Sequence, residues 1–206
     1  MKENLEISFT TPSDANIDLS TYIEDVKGLI KRERESDPTV VLHTDEEIWS
    51  KYKSSIVAVL NKKIIWNSSI YDSKMKPLND LSIQGKKIKV WESWSVIIHP
   101  DFRWMWIGKK LTTISLQRFS PNYDIIVGAT VNNIMFNLRM HQGFETIPFP
   151  KDLYEEWKKY LAPFMKDWDV EFDARAKCMM YNIQLSNEQK KALIHILEKE
   201  YTTHQV

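Results

Sequence analysis

Apolar residues recur along the chain with two periods, and the places where one period gives way to the other mark the elements. From Asp18 to Arg34 the residues Leu19, Tyr22, Ile23, Val26, Leu29 and Ile30 share one face of a 3.6-residue period, which predicts an amphipathic helix. A second helix is expected to start at Thr44, because Thr44 and Glu47 have the spacing of a capping box. "SIVAVLNKKIIWNSSIY" reads as two β-rich runs around a turn at "NKK", hence a hairpin. The polar stretch Lys74–Lys87 carries Pro77 and Gly85 and reads as a loop. "KIKVWESWSVIIH" then predicts one strand, ended by Pro100.

The second half alternates in the same way. "IGKKLTTISLQRF" predicts a helix with Ile107, Leu111 and Ile114 inward, and "YDIIVGATV" a short strand covered on both faces. "NNIMFNLRMHQGF" predicts a helix that starts at Asn132 and closes at Gly143 as its C′ residue, with "ETIPF" leading out of it. Residues 150–168 predict an aromatic helix through Leu153, Trp157, Tyr160, Leu161 and Phe164, limited by Pro163. "AKCMMYNIQL" is a last strand, and Ser186 and Gln189 cap a C-terminal helix through Leu193, Ile196 and Leu197. This order predicts a mixed α/β (α+β) single domain over residues 1–185. Residues 186–206 form a helix of that domain or an interface appendage, through which a homodimer could form.

Charge narrows the partners. The 206 residues are 43% hydrophobic, enough for a core, while 28 basic and 28 acidic residues cancel. No bulk charge draws the chain to nucleic acid or to an anionic membrane. No apolar run approaches the roughly 20 residues that span a bilayer, and the N-terminus lacks the apolar core of a signal peptide. Cys178 is the single cysteine, so neither an intramolecular disulfide nor a thiolate zinc cluster is expected. A reducing, cytoplasmic setting without a metal site fits these features.

The candidate chemistry begins at "HPDFRWMWIGKKL", residues 99–111. A strand, an Arg-bearing turn, a Gly and a helix start make a device for anions, because free N–H groups and the positive end of the helix dipole face the turn. Lys109 and Lys110 in the first turn oppose that dipole, which a bound phosphate would offset. On the preceding strand Val90, Glu92, Trp94, Val96 and Ile98 share one face. Glu92 is its only acid; set among tryptophans, it would be partly desolvated and its basicity raised. The alternative is a solvent-facing glutamate paired with a lysine of "KKIK". His43 is a second base candidate, and Cys178 reads as a core residue.

"VIIHPDFRWMWIGKKL" followed by "IIVGATVNNIMFNLRMHQGF" resembles the GNAT acyltransferase superfamily over roughly residues 50–150. Ile98, Pro100, Arg103, Gly108, Asn132, Gly143 and Phe144 stand at matching places. The resemblance implies a mostly antiparallel central sheet, splayed between the strands ending at Ile98 and at Ala129–Val131, with helices on both faces. It implies acetyl-CoA as the donor and an amine as the acceptor. The backbone near Ile97 and Ile98 would pair with the pantetheine amides. The turn carrying Arg103, Trp104, Trp106, Ile107 and Gly108, with Lys109, would hold the pyrophosphate, and Asn132 would also touch the cofactor. Glu92, eleven residues before Arg103, matches the strand glutamate that serves as base.

Two positions depart from the family pattern. Trp106 stands where the pattern has its first Gly, so its ring must turn away from the phosphates or the phosphates must sit differently. Arg139 stands where many members carry the Tyr that protonates the leaving thiolate; an arginine does not readily give up a proton. It would instead stabilise thiolate charge or bind a phosphate. A rival reading follows from both departures: a GNAT-shaped binding or assembly module without catalysis, with Trp104 and Trp106 facing a partner or filling the groove. A third reading is an enzyme for a larger acyl group, held by the aromatic helix.

Overall fold

A computed structural model of the chain describes residues 6–37, 40, 42–72, 82–83, 85–93, 96–99, 101–102, 106–151, 154–155, 158–159 and 175–202. In chain order the elements are β1 (Ser8–Thr10), α1 (Leu19–Ser36), α2 (Asp45–Ser50), β2 (Ser55–Leu60), β3 (Lys63–Asp72), β4 (Ser82–Ile83), β5 (Lys86–Lys87), β6 (Val90–Ser93), β7 (Ile97–Ile98), α3 (Ile107–Phe119), β8 (Ile125–Thr130), α4 (Asn133–His141), β9 (Glu145–Ile147), β10 (Lys177–Asn182) and α5 (Asn187–Thr202). They divide into two compact units, Met1–Tyr71 with Trp94–Phe119, and Asp72–Ser93 with Ser120–Val206.

In the first unit β1, β2 and β3 form an antiparallel sheet, and β7 pairs with β3. Asn61 and Lys62 join β2 to β3 at φ 51° and 64°, the two-residue turn whose twist matches that of its flanking strands. The register passes from Ala58↔Trp66 to Val59↔Ile64 and leaves Ile65 unopposed, a β-bulge. Because of it, Ile64 packs on the side of Val57 and α1, while Ile65 and Trp66 both pack with Ile56 and Ala58 against α3. α1 buries the predicted Tyr22, Val26, Leu29 and Ile30, and Asp18 caps it by accepting the Thr21 N–H at 2.9 Å. α2 carries the expected capping box of Thr44 and Glu47.

α3 lies against the sheet at its first turn. A Cβ on Gly108 would stand 2.5 Å and 2.6 Å from the Trp66 ring atoms Cζ2 and Cη2, so the helix approaches that ring only through a glycine.

In the second unit β6 runs parallel to β8, with Glu92↔Val127 as the last pair, β10 runs antiparallel to β8 over six residues, and β9 borders β10. β8 is buried on both faces as predicted. α5 closes one face, with Leu193 and Leu197 packed among Val90, Val127, Cys178 and Met180. Its cap is the expected one: Ser186 and Gln189 exchange bonds of 3.0 and 3.2 Å. Each such buried side chain contributes about 1.5–3 kcal/mol.

Three expectations are corrected. The single strand over 87–99 is three pieces, β5, β6 and β7. The loop at Lys74–Lys87 holds a short hairpin, β4 with β5, around Gly85 at φ 78°. "ETIPF" forms β9. Strands of two or three residues are too short to show a period. In the expected aromatic helix, Lys151, Tyr154, Glu155, Lys158 and Lys159 are helical. Leu153, Trp157, Tyr160, Leu161, Pro163 and Phe164 lie outside the described residues. Among the described residues no helix is long and apolar enough to cross a membrane, and no cluster is placed to hold a metal ion.

Asp124, 3% exposed, ties the second unit together. Its carboxylate accepts the Lys89 N–H at 2.8 Å and Lys86 Nζ at 2.9 Å; its carbonyl accepts the N–H groups of Ile183 and Gln184. Burial pushes its acidity toward a higher pKa, but these donors outweigh burial and hold it below the usual carboxylate range.

Two measurements test this packing. Gly108→Ala should lower stability by about 1–3 kcal/mol in urea denaturation, because the overpacked Trp66 ring outweighs the ~1 kcal/mol that Ala gains in a helix. A depressed carboxylate pKa gives stability that is full above about pH 4 and is lost as pH falls through the folded value. The wild type should therefore lose more stability than Asp124→Asn between pH 7 and pH 3, and parallel losses would reject this account.

Candidate active site

The anion device of the first unit is built on β7 and α3. Ile97, 2% exposed, pairs with Asn67 of β3, and the N–H of His99 donates to the Ile65 carbonyl at 3.0 Å. By the alternation of an antiparallel ladder, the N–H and C=O of Ile98 point to the other edge of β7. Among the described residues of this unit no strand covers that edge. Arg103 and Trp104 lie outside the described residues. Trp106 does not: it immediately precedes α3, its carbonyl accepts the Lys110 N–H at 3.3 Å, and the residue is 79% exposed.

Ile107 and Gly108 are both buried. Sequence reasoning assigned Gly108 to the approach of a phosphate, yet the Trp66 ring occupies the space its side chain would take. Lys109 and Lys110 are exposed, no acid stands in the first turn of α3, and Lys110 Nζ lies 4.5 Å above the Phe9 ring.

His43, the second base candidate, also lies in this unit. Its Nδ1 is 3.4 Å from Glu47, but burial, with the charge of Lys51, pushes its pKa down to about 3. An imidazole so disfavoured in its charged form is a poor acceptor for an ammonium proton, which counts against His43 as the base.

In the second unit Glu92 is the last residue of β6 paired with β8. It is partly buried and shares a face with Val90; its charge adds to burial in raising the Cys178 thiol. The expected pair of tryptophans does not enclose it. Trp91 packs on Tyr123 at 3.8 Å from the other face, and Trp94 lies outside the described residues. Cys178 is a core residue, as expected.

Ser93 projects from the face opposite Glu92 and meets Arg139 there. Arg139 belongs to the last turn of α4, which ends in a Schellman motif. Gly143 takes φ 89°, its N–H donates to the Met140 carbonyl, and the N–H of Phe144 donates back to the Arg139 carbonyl. That motif brings the Phe144 ring to 5.0 Å from the guanidinium carbon. Arg139 Nη2 donates to Ser93 Oγ, and burial pushes the Arg139 pKa down to about 10, still cationic at neutral pH. Asn132 caps the opposite end of α4, accepting the N–H groups of Ile134 and Met135 at 2.9 and 3.2 Å. Seven residues of helix, about 10 Å, separate it from Arg139. Ser93 was missed by sequence reasoning, although the alternation that singled out Glu92 also puts its neighbour on the opposite face.

No family model matches the sequence, and no curated protein does. Solved structures do. The NatC complex bound to Gag peptide and CoA matches at TM-score 0.58 and 14% identity, covering 87% of this chain and 100% of the other. An acetyltransferase of the GNAT family from Staphylococcus aureus Mu50 matches at 0.54 and 14%, covering 87% and 100%. Diaminobutyrate acetyltransferase EctA from Paenibacillus lautus, in complex with L-2,4-diaminobutyric acid and coenzyme A, matches at 0.53 and 11%, covering 89% and 99%. The chain has the GNAT fold. At these identities the likeness is one of fold.

On the GNAT fold the tryptophan at the glycine position gains a physical reading. Trp106 takes φ 55°, the left-handed conformation that glycine adopts without strain, and keeps it with a ring turned to solvent. A backbone angle suited to glycine is thus kept at this one position at a cost of about 1–2 kcal/mol. Trp106→Gly should relieve that strain, offset by ~0.4–1 kcal/mol of added freedom in the unfolded chain. Denaturation should show a gain of up to ~1 kcal/mol; a loss of that size would mean the ring is packed rather than free.

Proposed function

We propose that this protein transfers an acetyl group from acetyl-CoA to an amine. The observation that carries the reading is the position of Glu92 on a GNAT fold: a partly buried carboxylate at the last paired residue of β6. Two of the similar structures hold coenzyme A, one with a peptide and one with a diamino acid. The residues here fit such a donor. The edge of β7 at Ile98 that no described strand of its unit covers offers one N–H and one C=O to the pantetheine amides. The start of α3 offers the N–H groups of its first turn, an exposed Lys109 and no acid to the pyrophosphate, with Arg103 and Trp104 proposed for the same turn. Asn132 orders the start of α4 as its cap.

Acetyl-CoA would supply a thioester when bound; the protein supplies the proton acceptor. Glu92 takes the proton of the attacking amine, directly or through one water. A second reading, an assembly module without catalysis, is favoured by one observation, the 79% exposed ring of Trp106 at the proposed phosphate turn.

Calorimetry with acetyl-CoA separates the two readings. Micromolar-range binding, with Glu92→Gln keeping that affinity while amine acetylation falls about 10²–10⁴-fold, supports the enzyme. Absence of binding at millimolar acetyl-CoA supports the module.

A further inference from the structure

Two hydrogen-bond donors face each other at the end of β7. His99 follows that strand, and its side chain lies on the face it shares with Ile97, where α1 packs. Arg32, near the end of α1, brings Nη1 against His99 Nε2. The His99 ring is held in place: its side chain is 17% exposed, and the Phe102 ring meets it at 5.4 Å. The Phe102 N–H also donates to the His99 carbonyl at 3.0 Å.

The backbone decides which nitrogen of that ring carries hydrogen. The N–H of Asp101 donates to Nδ1 at 3.3 Å, and a backbone N–H can only donate. Neutral imidazole has one bare nitrogen. With Nδ1 accepting, Nε2 carries the hydrogen and points it at a guanidinium that has donors alone. In the imidazolium both nitrogens are donors, and Nε2 faces Arg32 in the same way. The Asp101 carboxylate stands at the other nitrogen, 3.6 Å from Nδ1 and beyond a hydrogen bond to it.

Groups that only donate are held together by an acceptor. Among the described residues no carboxylate stands within ion-pair distance of Arg32. On the same flank of α1, Asp25 accepts the N–H of Ile64 at 3.0 Å. That flank also leaves room. Gly28 is exposed in the interior of an 18-residue helix, where glycine is less favourable than alanine, and a Cβ there would meet no atom within 4 Å. No neighbour requires the glycine. It stands one turn before Arg32, and helical side chains lean back over the preceding turn, so the missing side chain leaves space beside the arginine.

We propose that Arg32 and His99 bind an oxyanion, a carboxylate or a phosphate oxygen of a small molecule, which accepts one N–H from each. This site is separate from the turn before α3. α1 packs with Ile97, whereas α3 packs on the other face of the sheet with Ile56 and Ala58. The oxyanion site does not depend on acyl transfer. On the acyl-transfer reading, the oxyanion is a carboxylate of the amine acceptor or a phosphate of coenzyme A outside its pyrophosphate.

Nitrogen NMR spectra of isotope-labelled histidine rings test the site, with the His99 signals assigned by their loss in His99→Gln. In the free wild type, Nε2 of His99 should carry hydrogen. A bare Nε2 would mean that Arg32 donates to it, which overturns the site. Titration with acetate or inorganic phosphate should move the His99 signals saturably, and Arg32→Gln should weaken that binding about 10–100-fold, the loss of a charge-assisted hydrogen bond. Gly28→Leu, which fills the space and strengthens the helix, should weaken it as well. No saturable shift with either anion, or an equal one in Arg32→Gln, rejects the proposal. Acetyl-CoA and S-acetylpantetheine, which lacks the phosphates, separate the two sources. A shift with acetyl-CoA alone assigns the site to a coenzyme A phosphate. Acetate that still saturates the site with acetyl-CoA bound assigns it to the acceptor. Acetyl-CoA that does not bind overturns acyl transfer and leaves the oxyanion site standing.

Discussion

Asp124 enters the second unit with its carboxylate buried, and a carboxylate in that position must be supplied with donors or the unit does not close. Its donors come from three directions: the backbone of Lys89 just before β6, the ammonium of Lys86 on β5, and, through its own carbonyl, the chain leaving β10 at Ile183 and Gln184. The starts of β6 and β8 and the end of β10 are therefore fixed to one residue. The parallel pairing of Val90, Trp91 and Glu92 with Ile125, Ile126 and Val127 then has one register available. A slip of one residue would send Glu92 to the face of Arg139 and Ser93 to the face of Cys178. Which side chain projects to which face, the basis of the proposed chemistry, depends on that carboxylate.

The first unit shows the same dependence on one close approach. Gly108 lets α3 lie on the Trp66 ring, and the helix start is fixed by that contact. Trp106, two residues earlier, must take whatever backbone angle joins the turn to a helix already seated, and it takes one that a tryptophan disfavours. A locally unfavourable residue persists when its surroundings over-determine it, and such residues collect at functional sites. Arg139 is the corresponding case in the second unit, a buried charge that meets Ser93 and Phe144 among the described residues. Both positions depart from the family pattern in residue type.

Several elements could be read before any coordinates. α1 and α5 declared themselves by period, α2 and α4 by their caps, and the β2–β3 hairpin by a polar turn between β-rich runs. Those signals are local: a period needs ten or more residues, and a cap needs four. β4, β5, β7 and β9 have two or three residues each and depend on partners distant in the chain, so no window could reveal them. The bulge at Ile65 was equally hidden, because it exists only as a register difference between two strands.

The candidate site divides in the same manner. The sequence by itself pointed to the fold, through a resemblance carried by Ile98, Arg103, Gly108, Asn132 and Gly143, and it determined that Glu92 is an acid on a strand otherwise apolar or hydroxylic. Only the tertiary structure decided what each residue faces. It gave the space beside Gly108 to Trp66, turned the Trp106 ring to solvent, made His43 too weak a base, and joined Arg139 to Ser93. The reason is physical: spacing along a chain reports backbone conformation, which is a local property, whereas burial, charge balance and the room for a side chain are set by residues far away in the sequence.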